Sequence, residues 1–114
     1  MPSERLRRVN EAMRQVLSDA ITRDLKDPRI GFVTVTAVHT SSDLRHAHVL
    51  VSVLGEARQR TASLDGLRSA HGYLQRRVGS ELRLKHTPTL EFEYDESIER
   101  GARISELIDR ELGR

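Results

Sequence analysis

The side chains best equipped for chemistry in this sequence are arginines. Arg68, Arg76, Arg77 and Arg83, followed by Lys85, fall within one stretch, and Arg29 and Arg45 precede it. A guanidinium fork matches phosphate oxygens in a bidentate geometry. Between Arg58 and His86 there are seven Arg and Lys against two acids, a local charge of +5. From Glu91 to Arg114 eight acids meet four Arg, a local charge of −4. The overall +2 therefore hides a basic middle and an acidic end. A clustered basic surface suits a polyanion partner. The competing reading is that the long arginine side chains simply solvate the back of a helix.

Other chemistry is sparse. No G-x-x-x-x-G-K-[ST], G-x-G-x-x-G or G-x-S-x-G motif occurs. His39, His46 and His48 are the one tempting group, since His46 and His48 share a strand face and a cross-strand ligand would complete a metal site. No Cys supports them, and no carboxylate in the hairpin is placed to act as a third ligand. Solvent-exposed or RNA-facing histidines are the preferred reading, and no metal or cofactor is assigned. Glu91 and Glu93 alternate along a strand and read as its exposed side, not as an acid pair. A histidine–metal hydrolase and a protein-binding adaptor acting through the acidic end remain as competing function classes.

The elements that must position the arginines follow from periodicity. Leu64, Leu67, Ala70, Leu74, Val78 and Leu82 recur at gaps of three and four, which puts them on one face of a helix over residues 64–84. Gly72 sits inside it, where a glycine costs about 1 kcal/mol against alanine and permits a bend. A kinked helix follows, with Ala70 and Gly72 at the kink and with Arg76 and Arg77 on its outer face. Residues 5–26 form an earlier helix, with Ser3 as N-cap and a stop at Asp27-Pro28. Residues 30–39 and 45–54 switch to strand periodicity around the turn Thr40-Ser41-Ser42-Asp43. Ala47, Val49, Val51 and Val53 face one way along the second strand, and His46 and His48 the other. Residues 55–63 read as a connection. Residues 89–94 form a third strand with Leu90, Phe92 and Tyr94 on one face. A final helix after Asp95-Glu96-Ser97 carries Ile98, Ala102, Ile104, Leu107, Ile108 and Leu112.

The expected architecture is α+β, two long helices over one face of a three-stranded sheet, with the pairing of the third strand left open. The boundaries are a domain over residues 1–96 and a helical extension over 97–114. The chain has 114 residues, 37% of them apolar and 4% aromatic, so Val, Leu, Ile and Ala must fill a small core. The opening MPSERLRR lacks the apolar run of a signal peptide, and no stretch approaches a membrane span, so a soluble cytoplasmic protein is expected. Stacking platforms for single-stranded RNA need exposed aromatics in the sheet. With Phe92 and Tyr94 assigned to the core, recognition of RNA shape and backbone is the better fit.

Taken together, several short stretches resemble the ribosome-binding factor A family. They are Arg8-Val9, Asp27-Pro28-Arg29, Val33-Thr34-Val35-Thr36, Ser42-Asp43-Leu44, Ala47-His48-Val49, Ala70-His71-Gly72, Leu82-Arg83-Leu84 with Pro88, and Phe92 to Ser97. Their order and spacing run over nearly the full length. The resemblance implies a type II KH-like fold, order α-β-β-α(kink)α-β, with Ala-x-Gly in place of the usual G-x-x-G loop. It further implies a non-enzymatic bacterial factor that binds the 30S subunit and 16S rRNA, favours late maturation including the 5′ end, and matters for growth in the cold. A GTPase that helps release it is an implied partner, and a monomer is expected. A KH-like module acting on other RNAs is the alternative. Arg29, Arg45, Arg68, Arg76, Arg77, Arg83 and Lys85 are the candidate RNA contacts.

Overall fold

Alternation in HAHVLVSV makes the second strand the centre of the sheet. In the computed structural model, which describes residues 3–97, this segment is β2 (His46–Val53). Ala47, Val49, Val51 and Val53 are buried, and His46 and His48 face solvent. β1 (Val33–Thr40) pairs with β2 antiparallel, and β3 (Thr89–Tyr94) pairs with its other side in parallel, in the order β1-β2-β3. The third strand is parallel because a helical crossover carries the chain back from the end of β2 to its start. Leu90 and Phe92 are buried on the inner face, as the alternation required. Tyr94, expected beside them in the core, is only half-buried, and the Arg60 guanidinium lies 4.5 Å from its ring centre.

β1 does not alternate strictly. Val35 pairs with Val51 and Ala37 with Leu50, which leaves Thr36 as the extra residue of a bulge. The bulge turns Val38 into the core and leaves His39 exposed, where unbroken alternation from Val35 would bury His39. The Thr36 hydroxyl donates to the Asp95 carboxylate at 2.6 Å and lies 3.2 Å from the Leu50 carbonyl, so the bulge is tied across the sheet.

Three helices cover the inner face: α1 (Glu4–Arg23), α2 (Ala57–Ser69) and α3 (His71–Leu82). The Ser3 hydroxyl caps α1 by accepting from the Leu6 N–H at 3.1 Å. Met13, Val16, Leu17, Ala20 and Ile21 form its buried stripe. α1 stops at Arg23, ahead of the expected Asp27-Pro28 boundary, because the Asp24 carboxylate is drawn toward α3 and the chain must turn to seat Leu25 and Ile30 on the core. Helix also begins earlier than the apolar stripe indicated, inside the expected 55–63 connection. Gly55, at φ 128°, makes the turn out of β2 that other residues resist. Gln59 then closes the first turn of α2, its Oε1 accepting from the Glu56 N–H at 2.8 Å.

The expected kinked helix over 64–84 is two helices. Ala70 separates them, at φ −92° and ψ 7°, outside helical geometry. Gly72 lies in the first turn of α3 with no positive φ. The break is therefore made at Ala70, and Gly72 does not set the angle. Thirteen and twelve residues are short helices, held by packing more than by intrinsic propensity. Leu67, Leu74 and Val78 are their fully buried anchors. The order α-β-β-α-α-β over one three-stranded sheet is α+β and matches the KH-like expectation. The final helix and the 97–114 extension fall on residues 98–114, outside the described residues. No described helix is long and apolar enough to cross a membrane.

Gly66 is the closest packing point. A Cβ there would meet Ile30 Cγ1 at 2.6 Å, because the loop after α1 lies directly on α2. Gly66→Ala should therefore cost about 1–3 kcal/mol despite alanine's better helix propensity. A urea unfolding midpoint equal to or above wild type would show that the loop yields freely.

Candidate nucleic-acid interface

Two of the candidate arginines reach residues flanking the break between α2 and α3. The Arg76 guanidinium folds back one turn along α3, so that its Nη1 lies 3.7 Å from where a Cβ on Gly72 would stand. Arg29 reaches the same break from the loop after α1, its Nη2 donating to the Ser69 hydroxyl at 3.1 Å. Arg29 is aimed by Asp27, whose Oδ2 accepts from Nη2 at 2.6 Å. These hydrogen bonds from Arg29, side chain first and then backbone, hold the Asp27 carboxyl below its usual range. That contribution is present above the ordinary carboxylate value and is lost as pH falls through the lowered one. No side chain caps the start of α3. Its first backbone N–H groups and the positive end of its dipole lie beside Arg76. With Arg76 close to Gly72 and Arg29 on Ser69 at the end of α2, an uncapped helix start with nearby cations favours a phosphate.

Arg77 behaves differently. Its side chain is 24% exposed and points to α1, not outward. It contacts Asp24, reaches Asp19 at 3.4 Å and pairs with Glu81 at 2.8 Å. The Tyr73 hydroxyl donates to the same Asp24 carboxylate at 2.5 Å. Tyr73 and Glu81, with Asp24, hold the Arg77 guanidinium firmly charged. Consecutive residues on a helix point about 100° apart, and here that offset turns Arg77 toward α1 and leaves Arg76 exposed. Arg68 is also engaged: Nη2 donates to the Phe92 carbonyl at 3.0 Å, and Gln75 Oε1 accepts from the Leu90 N–H at 3.1 Å. Together they bind two backbone groups on the free edge of β3, which an uncovered strand would offer to other chains.

Arg45, Arg83 and Lys85 are exposed, and their side chains make no ion pair or hydrogen bond among the described residues. Arg83 terminates α3 in the left-handed conformation, at φ 50°. It lies two turns beyond Arg76 on the same stripe of the helix. Arg45 instead opens β2, and the Arg45 carbonyl accepts from the Thr89 N–H at 2.8 Å. Arg58, which the sequence reading did not select, is a further exposed cation in the first turn of α2.

The outer face of the sheet has the opposite character. Parallel pairing sets Glu91 beside His48 and Glu93 one step along. His48 Nδ1 lies 3.1 Å from Glu93 and 3.5 Å from Glu91. These ligand-type atoms all lie within 4.8 Å of one another, on exposed side chains. The carboxylates that the hairpin lacked thus arrive from β3, a neighbour that local sequence could not name. The exposed carboxylates of Glu91 and Glu93 make this face unfavourable to a polyanion. His48 is solvent-exposed, as one half of the expectation for the hairpin histidines had it, and carboxylates flank it.

Arg77 and Arg76 should separate cleanly on substitution. Arg77→Met should lower the thermal midpoint by several degrees, because it strands Asp24 without its cation, while Asp19 keeps Arg23 at 2.9 Å. Arg76→Met should leave the midpoint within about a degree of wild type, as surface changes usually do. Circular dichroism melts of the two variants, compared directly, provide the measurement.

The geometry can be set beside known proteins. The family model described as ribosome-binding factor A matches residues 5–108. Ribosome-binding factor A of Halothermothrix orenii is 46% identical over 110 residues, covering 96% of this chain and 90% of that protein. The solution structure of a Thermotoga maritima protein described as a putative ribosome binding factor A is 32% identical, with a TM-score of 0.73 over 82% of this chain and 89% of that one. Coordinates of Thermus thermophilus ribosome binding factor A, fitted into the cryo-EM map of a 30S–RbfA complex, are 28% identical, with a TM-score of 0.64 over 76% of this chain and 91% of that one. A bent α2–α3 pair on a three-stranded sheet, a match spanning most of the chain and near-half identity to a curated relative converge on one assignment: this chain belongs to the ribosome-binding factor A family.

Proposed function

We propose that this chain binds the 30S ribosomal subunit and assists its late maturation, with the α2–α3 break turned toward 16S rRNA. Promotion of 5′-end formation and of growth in the cold, and release by a GTPase, are the finer parts of the reading and rest on the family resemblance. The observation that carries the contact surface is the placement of Arg76 over Gly72 at the uncapped start of α3, with Arg29 anchored beside it. The acidic outer sheet face supports the same orientation by disfavouring the other approach. Cations and a helix terminus hold phosphate; they do not supply a general acid and base pair, which supports a non-catalytic role. The cytoplasm, where 30S subunits mature, is the compartment this reading requires, and the protein acts as a monomer.

Arg83 and Lys85 extend the surface along α3, and Arg45 is a separate exposed cation at the start of β2. Arg77 contributes indirectly, by fixing α3 against α1, and Arg68 holds the edge of β3 while its exposed guanidinium keeps N–H groups for a phosphate. Arg76→Glu combined with Lys85→Glu should abolish co-sedimentation with 30S subunits at physiological salt while the circular dichroism spectrum stays native. Neutralising one phosphate contact should reduce the slope of log K against log salt by about one. Undiminished co-sedimentation of the double variant would remove this surface from the reading. Unrelated RNA competing as well as 30S particles would favour a general RNA-binding module.

Gly72 offers an independent check. The Cβ of Gly72→Ala has room, with Arg76 Nη1 at 3.7 Å as its nearest neighbour. The variant should fold at least as stably as wild type, gaining up to about 1 kcal/mol from helix propensity. Weakened 30S binding by that stable variant would place an RNA backbone directly against the glycine. Unchanged binding would remove close approach at this residue from the reading.

A further inference from the structure

Phe32 and Leu54 are 81% and 75% exposed, large apolar side chains with nothing over them among the described residues. They stand side by side: the Leu54 N–H donates to the Phe32 carbonyl at 3.1 Å, one step beyond the last ladder pair, Val33 with Val53. The ledge is therefore fixed by the end of the sheet. Below it lies a hollow of about 370 Å³, whose lining includes Pro28, Arg29, Phe32, Leu54, Arg58 and Ser63. Its floor is tied down by the buried Ser63 hydroxyl, which accepts from the Gly31 N–H at 3.1 Å and lies 3.4 Å from the Arg29 carbonyl. Arg58 is exposed and makes no ion pair or hydrogen bond among the described residues. Arg29 joins this hollow to the α2–α3 break through its bond to Ser69.

We infer that this ledge receives an unpaired nucleotide of single-stranded RNA, its base stacked on Phe32 and its flanking phosphates on Arg58 and Arg29. The inference rests on the 30S-binding reading and extends its surface along α2. A flat ring, an aliphatic neighbour and flanking guanidinium groups together match a base attached to an anionic backbone. An apolar peptide would leave Arg58 uncompensated, and a free phosphate would make no use of Phe32 or Leu54. Continuity through Arg29 puts the ledge on the same RNA-facing side as the break. The sequence reading had sought stacking aromatics inside the sheet, and this one lies at its end.

The chain contains no Trp, so Phe32→Trp places a single fluorescent reporter on the ledge. Its emission should be quenched by short oligoadenylate, and more weakly by oligouridylate, as stacking strength dictates. Phe32→Ala should weaken oligonucleotide and 30S binding by roughly tenfold, and Arg58→Gln should lower the salt slope by about one. Both positions are exposed, so the variants should remain folded. Absence of quenching, together with wild-type 30S affinity for Phe32→Ala, would overturn the ledge and leave the 30S reading intact. Wild-type protein that fails to co-sediment with 30S would instead overturn the functional reading, and the oligonucleotide titration would then decide the ledge alone. Loss of 30S binding in Phe32→Ala without quenching by RNA would assign the ledge to a protein partner and overturn the inference. So would a dimer abolished by Leu54→Glu.

Discussion

Everything in this molecule hangs on the buried stripe of β2. Ala47, Val49, Val51 and Val53 face the helices, while β1 and β3 occupy both edges of the strand. Burial of each valine contributes roughly 1.5–3 kcal/mol. Loss of register by one residue would turn the valines outward and His46, His48 and Leu50 inward, which makes the register nearly unique. Parallel pairing with β3 then obliges the chain to cross back over the inner face. That crossover is α2 and α3, and its interruption at Ala70 places the start of a helix at the surface. The candidate interface is thus a consequence of how the crossover is routed.

Charge is sorted by the same layering. Carboxylates on β3 share the outer sheet face with His48, and cations collect on the helices and the loop after α1. The cations themselves differ in how far the fold engages them. Arg77 is consumed, clamped by the carboxylates of Asp19, Asp24 and Glu81, while Arg68 gives one N–H to the edge of β3 and stays exposed. Arg76, Arg83, Lys85, Arg45 and Arg58 have side chains turned to solvent and available to a polyanion. Arg29 is intermediate, since its pairing with Asp27 aims it without hiding it. A charge count along the chain cannot make this division, because it depends on which face of α3 meets α1.

Much of the fold was legible in the sequence. Period-two alternation located β2 and β3, and the threefold and fourfold spacing located α1 and the Leu67, Leu74 and Val78 anchors. Ser3 was recognisable as a cap from its type and position. The misreadings have local causes. Glu56 is not among the residues that usually announce a helix start, so the first turn of α2 looked like a connection. The sequence places both Ala70 and Gly72 at the bend, and the break falls at Ala70, although nothing in its side chain announces it. Phe32 precedes a β-branched run and read as part of the strand, although the ladder begins one residue later and leaves it in solvent.

By itself the sequence determined the elements, the buried stripes, the uneven charge and the family resemblance, because each is a property of nearby residues or of their order. The tertiary structure alone decided which groups become neighbours across the chain. Glu91 and Glu93 reach His48 because β3 lies parallel to β2. Asp24 captures Arg77 because α1 packs on α3. Phe32 meets Leu54 because the hairpin ladder ends where it does, and Arg29 meets Ser69 because the loop after α1 lies on α2. Each of these contacts joins residues far apart in the chain, and the packing of whole elements brings them within hydrogen-bond or van der Waals range. Local propensity and periodicity carry no term for such distances, so the free and the committed arginines separate only in three dimensions.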